Sequence, residues 1–501
     1  MDGEESIAMS LIKDSESNSA MRNPQEFKYD NERSFLITND DKEKSNGSSK
    51  TLANSYRSLL AISEDSKEYP NTQDINRSHY MENTTTWLTT LVHVIKGNIG
   101  IGALSLPFAM MNSGIVVGPV LLLVTASIAV HCMHLLVQCN HTFLNRTKSL
   151  NLGYAQIAEM SIALYYPKAR HLGSMIVNIL LVITQLGFCC VYFIFVSESL
   201  KQIFDDTIQL DVRIWIAILI LPTVLLSFIR TLKLLAVISM VSNILYFSGV
   251  FCILIYAGDN MQSPETLPKF TGLATVPLAY GAIVFSLEGI GVILPLENVM
   301  ASPRHFRCVL SIGMGVVVLV YLLLSILGFS SCGMHCLGSF TLNLPNTPYY
   351  AAVKGTLAIA IFFTYFIQFY VPMTIIIPSV QEKLDQKYSS LADYGIRTFF
   401  VCVTAVLAIC VPLLGDMISL VGAVGCTALE IIFPAVIHIL TFSYDNSLCT
   451  SSLIKNIILI VFGFLGAVSG LYASIIDMIW NIQHPGVPQG AVLFNSSHVS
   501  L

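Results

Sequence analysis

Charge is what this chain has least of. Only 12% of its 501 residues are Asp, Glu, Lys or Arg, while 54% are hydrophobic and the mean hydropathy is +0.66. A soluble domain of this size needs more surface charge to stay dissolved. Half of the acidic residues precede Thr86, so the remainder is more apolar still and reads as a polytopic membrane protein. Zinc-type CxxC pairs are missing among the twelve cysteines. Most of these, Cys189 and Cys190 included, lie in apolar runs and read as core residues rather than metal ligands. No cytosolic loop gathers acid, base and nucleophile, so an enzyme is not expected. Neither a cofactor nor a nucleic-acid partner is expected. A basic stretch followed by an apolar one is also lacking at the start, which argues against a cleaved signal peptide.

Residues 1–86 are rich in Ser, Asn, Asp, Glu and Lys without helical periodicity, and read as a disordered cytosolic tail. Within it, Tyr56-Arg57-Ser58-Leu59 fits a tyrosine-based sorting signal for an adaptor. Eleven apolar runs follow, at 88–111, 115–139, 173–197, 213–229, 235–257, 275–298, 308–331, 351–379, 397–414, 416–441 and 454–477. Each is long enough to cross a bilayer or nearly so. The segment 151–172 is expected to lie on the inner membrane surface. With the amino terminus inside, inner connections hold about twelve Lys/Arg and outer ones about four (Lys201, Arg213, Lys269 and Lys354). That excess orients the chain by the positive-inside rule and puts the carboxyl terminus outside or in a lumen. Asn495 then heads a glycosylation sequon on the side where glycans are added. Asn46, Asn76, Asn83, Asn140 and Asn145 head sequons on the other side.

Two of the most apolar runs are interrupted by glycine. GNIGIG spans Gly97 to Gly102 and SLEGIG spans Ser286 to Gly291, about 190 residues apart. Peptide groups freed at membrane depth are tolerated only where protein or a wet cavity surrounds them. One break per half points to a secondary transporter built from inverted repeats: 87–257 and 258–442 as five-helix halves, 443–501 as an eleventh helix and short tail. Each break presents free carbonyls on one side and free N–H groups on the other. A zwitterionic amino acid suits that geometry. Asn98, Gly100, Ile101 and Gly102 are the candidates for its carboxylate; Phe285, Ser286, Leu287 and Gly289 are those on the second break. Helix packing is the alternative role for the glycines. Glu288 lies at the second break, as a proton carrier or as an acceptor that holds the unwound backbone. His93, four residues before Gly97, is the second proton candidate; the alternative is a polar anchor near a helix end. His131 and His134 read as interfacial. Gln185, Tyr192, Thr364, Tyr365 and Gln368 either line a cavity or hydrogen-bond between helices. Glu430 is a third intramembrane carboxylate, a candidate for gating or pairing. Cys332 and Cys336 suit a local disulfide, with metal binding beside His335 a weaker choice.

At these residues the chain resembles the proton-coupled amino acid transporters, within the amino acid/auxin permease family. The resemblance rests on LVHVIKGNIGIGALSLPFA at 91–109, VHCMHLLVQC at 130–139, VITQLGFCCVYF at 182–193 and FSLEGIGVILPLEN at 285–298. LNLPN at 342–346, FFTYFIQFYVP at 362–372 and ISLVGAVG at 418–425 continue it. It implies an all-α integral membrane protein of LeuT-like fold: eleven transmembrane helices, a five-plus-five inverted repeat plus one extra helix, with helices 1 and 6 broken. It also implies symport of a small neutral amino acid with a proton, at the plasma membrane or the lysosome; hydrophobic cavity walls are expected to favour the proline, glycine or alanine type over charged amino acids. Ile101 stands where relatives commonly carry threonine, and Leu287 where an aromatic is common. Some relatives carry an outer disulfide between the loops after spans three and seven, but loop 198–212 has no cysteine here. The rival expectations are a proton-independent uniporter or exchanger, and an amino-acid sensor acting through partner binding.

Overall fold

The computed structural model describes residues 85–147, 151–230, 232–385 and 387–484. All lie in the second of two contact units, Ser58–Leu501. Tyr56, Asn46, Asn76, Asn83 and Asn495 lie outside the described residues. Those described are mostly helical. The helices are α1 (Trp87–Asn98), α2 (Ile101–Ser113), α3 (Val117–Thr147), α4 (Tyr154–Ala163), α5 (Arg170–Phe204) and α6 (Val212–Ser227). There follow α7 (Leu232–Asp259), α8 (Val276–Leu287), α9 (Ile290–Val299), α10 (Phe306–Cys332) and α11 (Pro348–Gln381). The last are α12 (Ser389–Cys410), α13 (Leu414–Val421), α14 (Phe433–Tyr444) and α15 (Thr450–Gln483). Between α13 and α14 the chain stays helical but widens into two π-helical segments, Gly422–Cys426 and Ala428–Ile432. Among the described residues the β-structure is one isolated bridge, Thr85 to Met300.

Nine of the described helical runs are long and apolar enough to cross a membrane. The bent pair α1–α2 and the shorter apolar helix α6 come in addition. The exposed surface carries large apolar side chains such as Leu221, Phe251, Phe464 and Tyr472, each at least 62% exposed, which is the pattern lipid selects and water does not.

Several helices run past the apolar runs of the sequence. α3 was expected to end near 139 and continues to Thr147. His131 and His134 are therefore mid-helix, and His134 Nε2 lies 2.9 Å from Ser311 Oγ. Lys354 belongs inside α11 rather than in an outer connection; its Nζ donates to Gln202 Oε1 and Asn346 Oδ1, both at 2.8 Å. α4 buries Tyr154, Ile157, Ala158, Met160 and Ser161 against the bundle. At the centre α2 is buried along its whole length and packs on α8, which also lies against α13 and the first π segment.

Candidate substrate and proton site

The two glycine breaks lie side by side, because the helices that carry them pack together. α1 ends at Asn98 and α2 begins at Ile101, with Ile99 and Gly100 extended between them and a bend of 53°. α8 ends at Leu287 and α9 begins at Ile290, with Glu288 and Gly289 between. Each break frees the last carbonyls of one helix and the first N–H groups of the next. The N-terminal ends of α2 and α9 follow Gly100 and Gly289, and neither end has a side-chain cap.

Two tyrosines donate to carbonyls at the breaks. Tyr321 Oη, from α10, lies 2.5 Å from the Asn98 carbonyl and 2.8 Å from that of Ser286. One hydroxyl thus joins the two broken helices. Tyr246, from α7, donates to the Gly100 carbonyl at 2.6 Å. Both rings are buried. Neither residue stands out among the aromatics of apolar helices. The signal that could have found them is the requirement that a buried free carbonyl meet a donor.

Packing decides some of the glycine roles. A Cβ on Gly102 would lie 2.5 Å from Ser286 Cα, and Ser286 Oγ lies 2.8 Å from the carbonyls of both Gly102 and Ala282. Gly102 therefore serves close contact of α2 with α8. A Cβ on Gly289 would overlap Asn98 Oδ1. Asn98 itself is buried, donates to the Val94 carbonyl at 2.8 Å, and leaves Oδ1 without a donor. Gly100 differs: nothing lies within 4 Å of a Cβ placed there. Ile101 and Leu287 are buried, and Phe285 stacks on Phe188 with ring centroids 4.3 Å apart.

Glu288 is half-buried in its break and makes no hydrogen bond or ion pair among the described residues. His93 shares the exposed face of α1 with Gly97, away from the buried face of Thr90, Val94 and Asn98. No hydrogen bond or ion pair links His93 to Glu288, so the two proton candidates are not joined in this conformation. Tyr192 and Tyr365 line one small pocket with Phe193, Leu219, Thr223 and Phe362. Gln368 Nε2 reaches Tyr192 Oη at 3.5 Å. Thr364 pairs with Ser242 at 2.9 Å and Tyr365 with Thr404 at 3.1 Å, both between helices. Gln185 is buried with Oε1 unpartnered. Cys332 and Cys336 form a disulfide, which takes both thiols away from any metal. Asn140 is buried and donates to Glu297, so its sequon is closed to a glycan.

Residues 83–476 match the family described as transmembrane amino acid transporter protein. The chain belongs to that family. It is 33% identical over 410 residues to the proton-coupled amino acid transporter-like protein pathetic of Drosophila melanogaster, covering 79% of this chain and 86% of that one. It is 28% identical over 414 residues to amino acid transporter AVT3C of Arabidopsis thaliana, covering 78% and 90%. A crystal structure of the Eremococcus coleocola manganese transporter aligns over 83% of this chain and 92% of that one, with 13% identity and a TM-score of 0.44. The protein is thus a multi-pass integral membrane protein of an amino acid transporter family, not an enzyme family.

Proposed function

We propose that this transporter carries a small neutral amino acid together with a proton, binding the amino acid where the two glycine breaks meet. The observation that carries this reading is the convergence of the Asn98 and Ser286 carbonyls on one hydroxyl, beside two uncapped helix N-termini. Two carbonyls from two helices suit an ammonium group, and uncapped N-termini suit a carboxylate. The ammonium takes the place of the Tyr321 hydroxyl, and Gly100 leaves room for the substrate backbone. Ile101, Leu287 and Phe285 favour small apolar side chains over charged ones. Glu288, half-buried at the break without a partner, is the nearer proton carrier; His93 serves from the exposed face of α1.

Counting the bent pair and α6 with the nine long runs supports eleven spans, with the first and sixth broken and the halves inverted. The amino terminus then lies in the cytosol. One pH unit contributes about 1.4 kcal/mol per proton, and 100 mV about 2.3 kcal/mol. Together they support accumulation of about several hundredfold. Uptake of labelled proline, glycine and tryptophan into proteoliposomes, at two pH values and with or without a gradient, tests the reading. Proline or glycine is expected to accumulate above equilibrium only with the gradient. Equilibration without accumulation would instead identify a uniporter or exchanger.

A further inference from the structure

Glu430 is the polar group the transport site leaves unused. It lies in the second π-helical segment and is fully buried, and both of its carboxyl oxygens lack a hydrogen-bond partner among the described residues. Its surroundings make this pointed. A π turn loosens the backbone ladder, and such turns recur at functional positions. The carbonyls around it are nonetheless served by side chains. Tyr154 donates to the Leu429 carbonyl at 2.6 Å, Cys132 to that of Ile431 at 3.8 Å, and Thr427 to that of Gly422 at 3.1 Å. The carboxyl in their midst receives nothing.

The titratable groups bonded to this stretch are Cys132 from α3 (to the Ile431 carbonyl), Tyr154 from α4 (to the Leu429 carbonyl) and Tyr280 from α8 (accepting from Thr427 at 3.2 Å). None is a cation. α5 presents Thr184 to this stretch, against Gly425. On α14, His438 is engaged with Asn456 of α15 at 2.9 Å, and Lys455 of α15 is exposed. An ionised carboxylate in such a place has neither countercharge nor donor. Its neutral acid can be carried there.

We propose that Glu430 is a proton-loading group of the transport cycle: its O–H bond forms from water on one side and breaks toward water on the other. Rearrangement of the π segments connects it to each side in turn. This deepens the proton-coupled reading and rests on it. The test uses the full-length protein in proteoliposomes, wild type beside Glu430→Gln, which holds the shape of the neutral acid. Wild type is expected to accumulate substrate about tenfold per pH unit per proton. In Glu430→Gln the accumulation ratio is expected to fall toward one, and tracer exchange to lose its pH dependence. If wild type accumulates and the glutamine variant does so equally, with the same pH profile, the Glu430 proposal alone is overturned. If wild type shows no gradient-driven accumulation, proton coupling falls and takes this proposal with it. Should the glutamine variant yield no folded protein, Glu430→Asp decides: a shifted pH midpoint of uptake is expected, and an unmoved one is fatal.

Discussion

Tyr321 has one hydrogen to share between two carbonyls, whereas an ammonium has three. At any moment one of the Asn98 and Ser286 carbonyls goes without. Tyr321→Phe keeps the ring and removes the hydroxyl, leaving two buried acceptors unserved at a cost of about 1–3 kcal/mol. The melting midpoint of the substrate-free protein is expected to fall, and saturating substrate to restore part of the loss by supplying donors. A midpoint equal to wild type would show that the hydroxyl does not hold the breaks. The glycines separate in the same assay. Gly102→Ala pushes a methyl group into the backbone of α8, a strain of about 1–3 kcal/mol, so both melting and transport suffer. Gly100→Ala meets nothing within 4 Å; melting is expected to hold while the substrate KM rises. The opposite ranking in melting would mean that packing is not what Gly102 provides.

The broken helices are also tied together at their far ends. Thr85 donates to the Val299 carbonyl at 2.9 Å, and Ala301 donates back to Thr85 at 3.1 Å, so the chain entering α1 pairs with the chain leaving α9. Close by, Glu297 is 2% exposed and accepts from Asn140 Nδ2 at 2.9 Å and from His141 Nε2. This latch joins α1, α3 and α9, and rocking of the broken helices must release it. A hydrogen bond to a charged acceptor contributes about 1.5–3 kcal/mol, so His141→Ala should shift the population toward the state open at this end. A cysteine placed at Thr85 reports it: thiol labelling is expected to speed up in the alanine variant, and an unchanged rate would mean the latch holds nothing. The run of spans was legible in the sequence because an apolar stretch of bilayer length is a local signal. The expected 275–298 and the observed Val276–Val299 differ by one residue at each end. The breaks were legible because glycines mark them. Their contents were not, since Tyr246 and Tyr321 arrive from α7 and α10 and look like ordinary core aromatics. The face chosen by His93 and the π widening at 422–432 depend on neighbours that no local pattern names.

Orientation belongs to the whole molecule, and it can be read by parity. Lys354 leaves the outer count of cations once it is seen buried within α11. In the proposed orientation the inner side keeps Arg146, paired with Asp445, and Arg230 and Arg397, which share Asp393 at 2.8 and 2.7 Å. The proposed orientation thus counts one outer cation fewer than the sequence alone suggests. Three exposed cysteines lie at the ends of three helices: Cys308 at the start of α10, Cys410 at the end of α12 and Cys449 just before α15. If α10, α11 and α12 each cross, three spans separate Cys308 from Cys410. One further crossing, the α13–α14 run, separates Cys410 from Cys449. Single-cysteine variants in sealed membranes are then expected to react with an impermeant maleimide at Cys308 and Cys449 from one side and at Cys410 from the other. A glycan on Asn495 should appear on the Cys410 side, because α15 makes one more crossing after Cys449. Cys410 and Cys449 reacting from the same side would remove the crossing that contains both π segments. With it would go the proposed placement of Glu430 inside the membrane and the proposed inversion of the two halves.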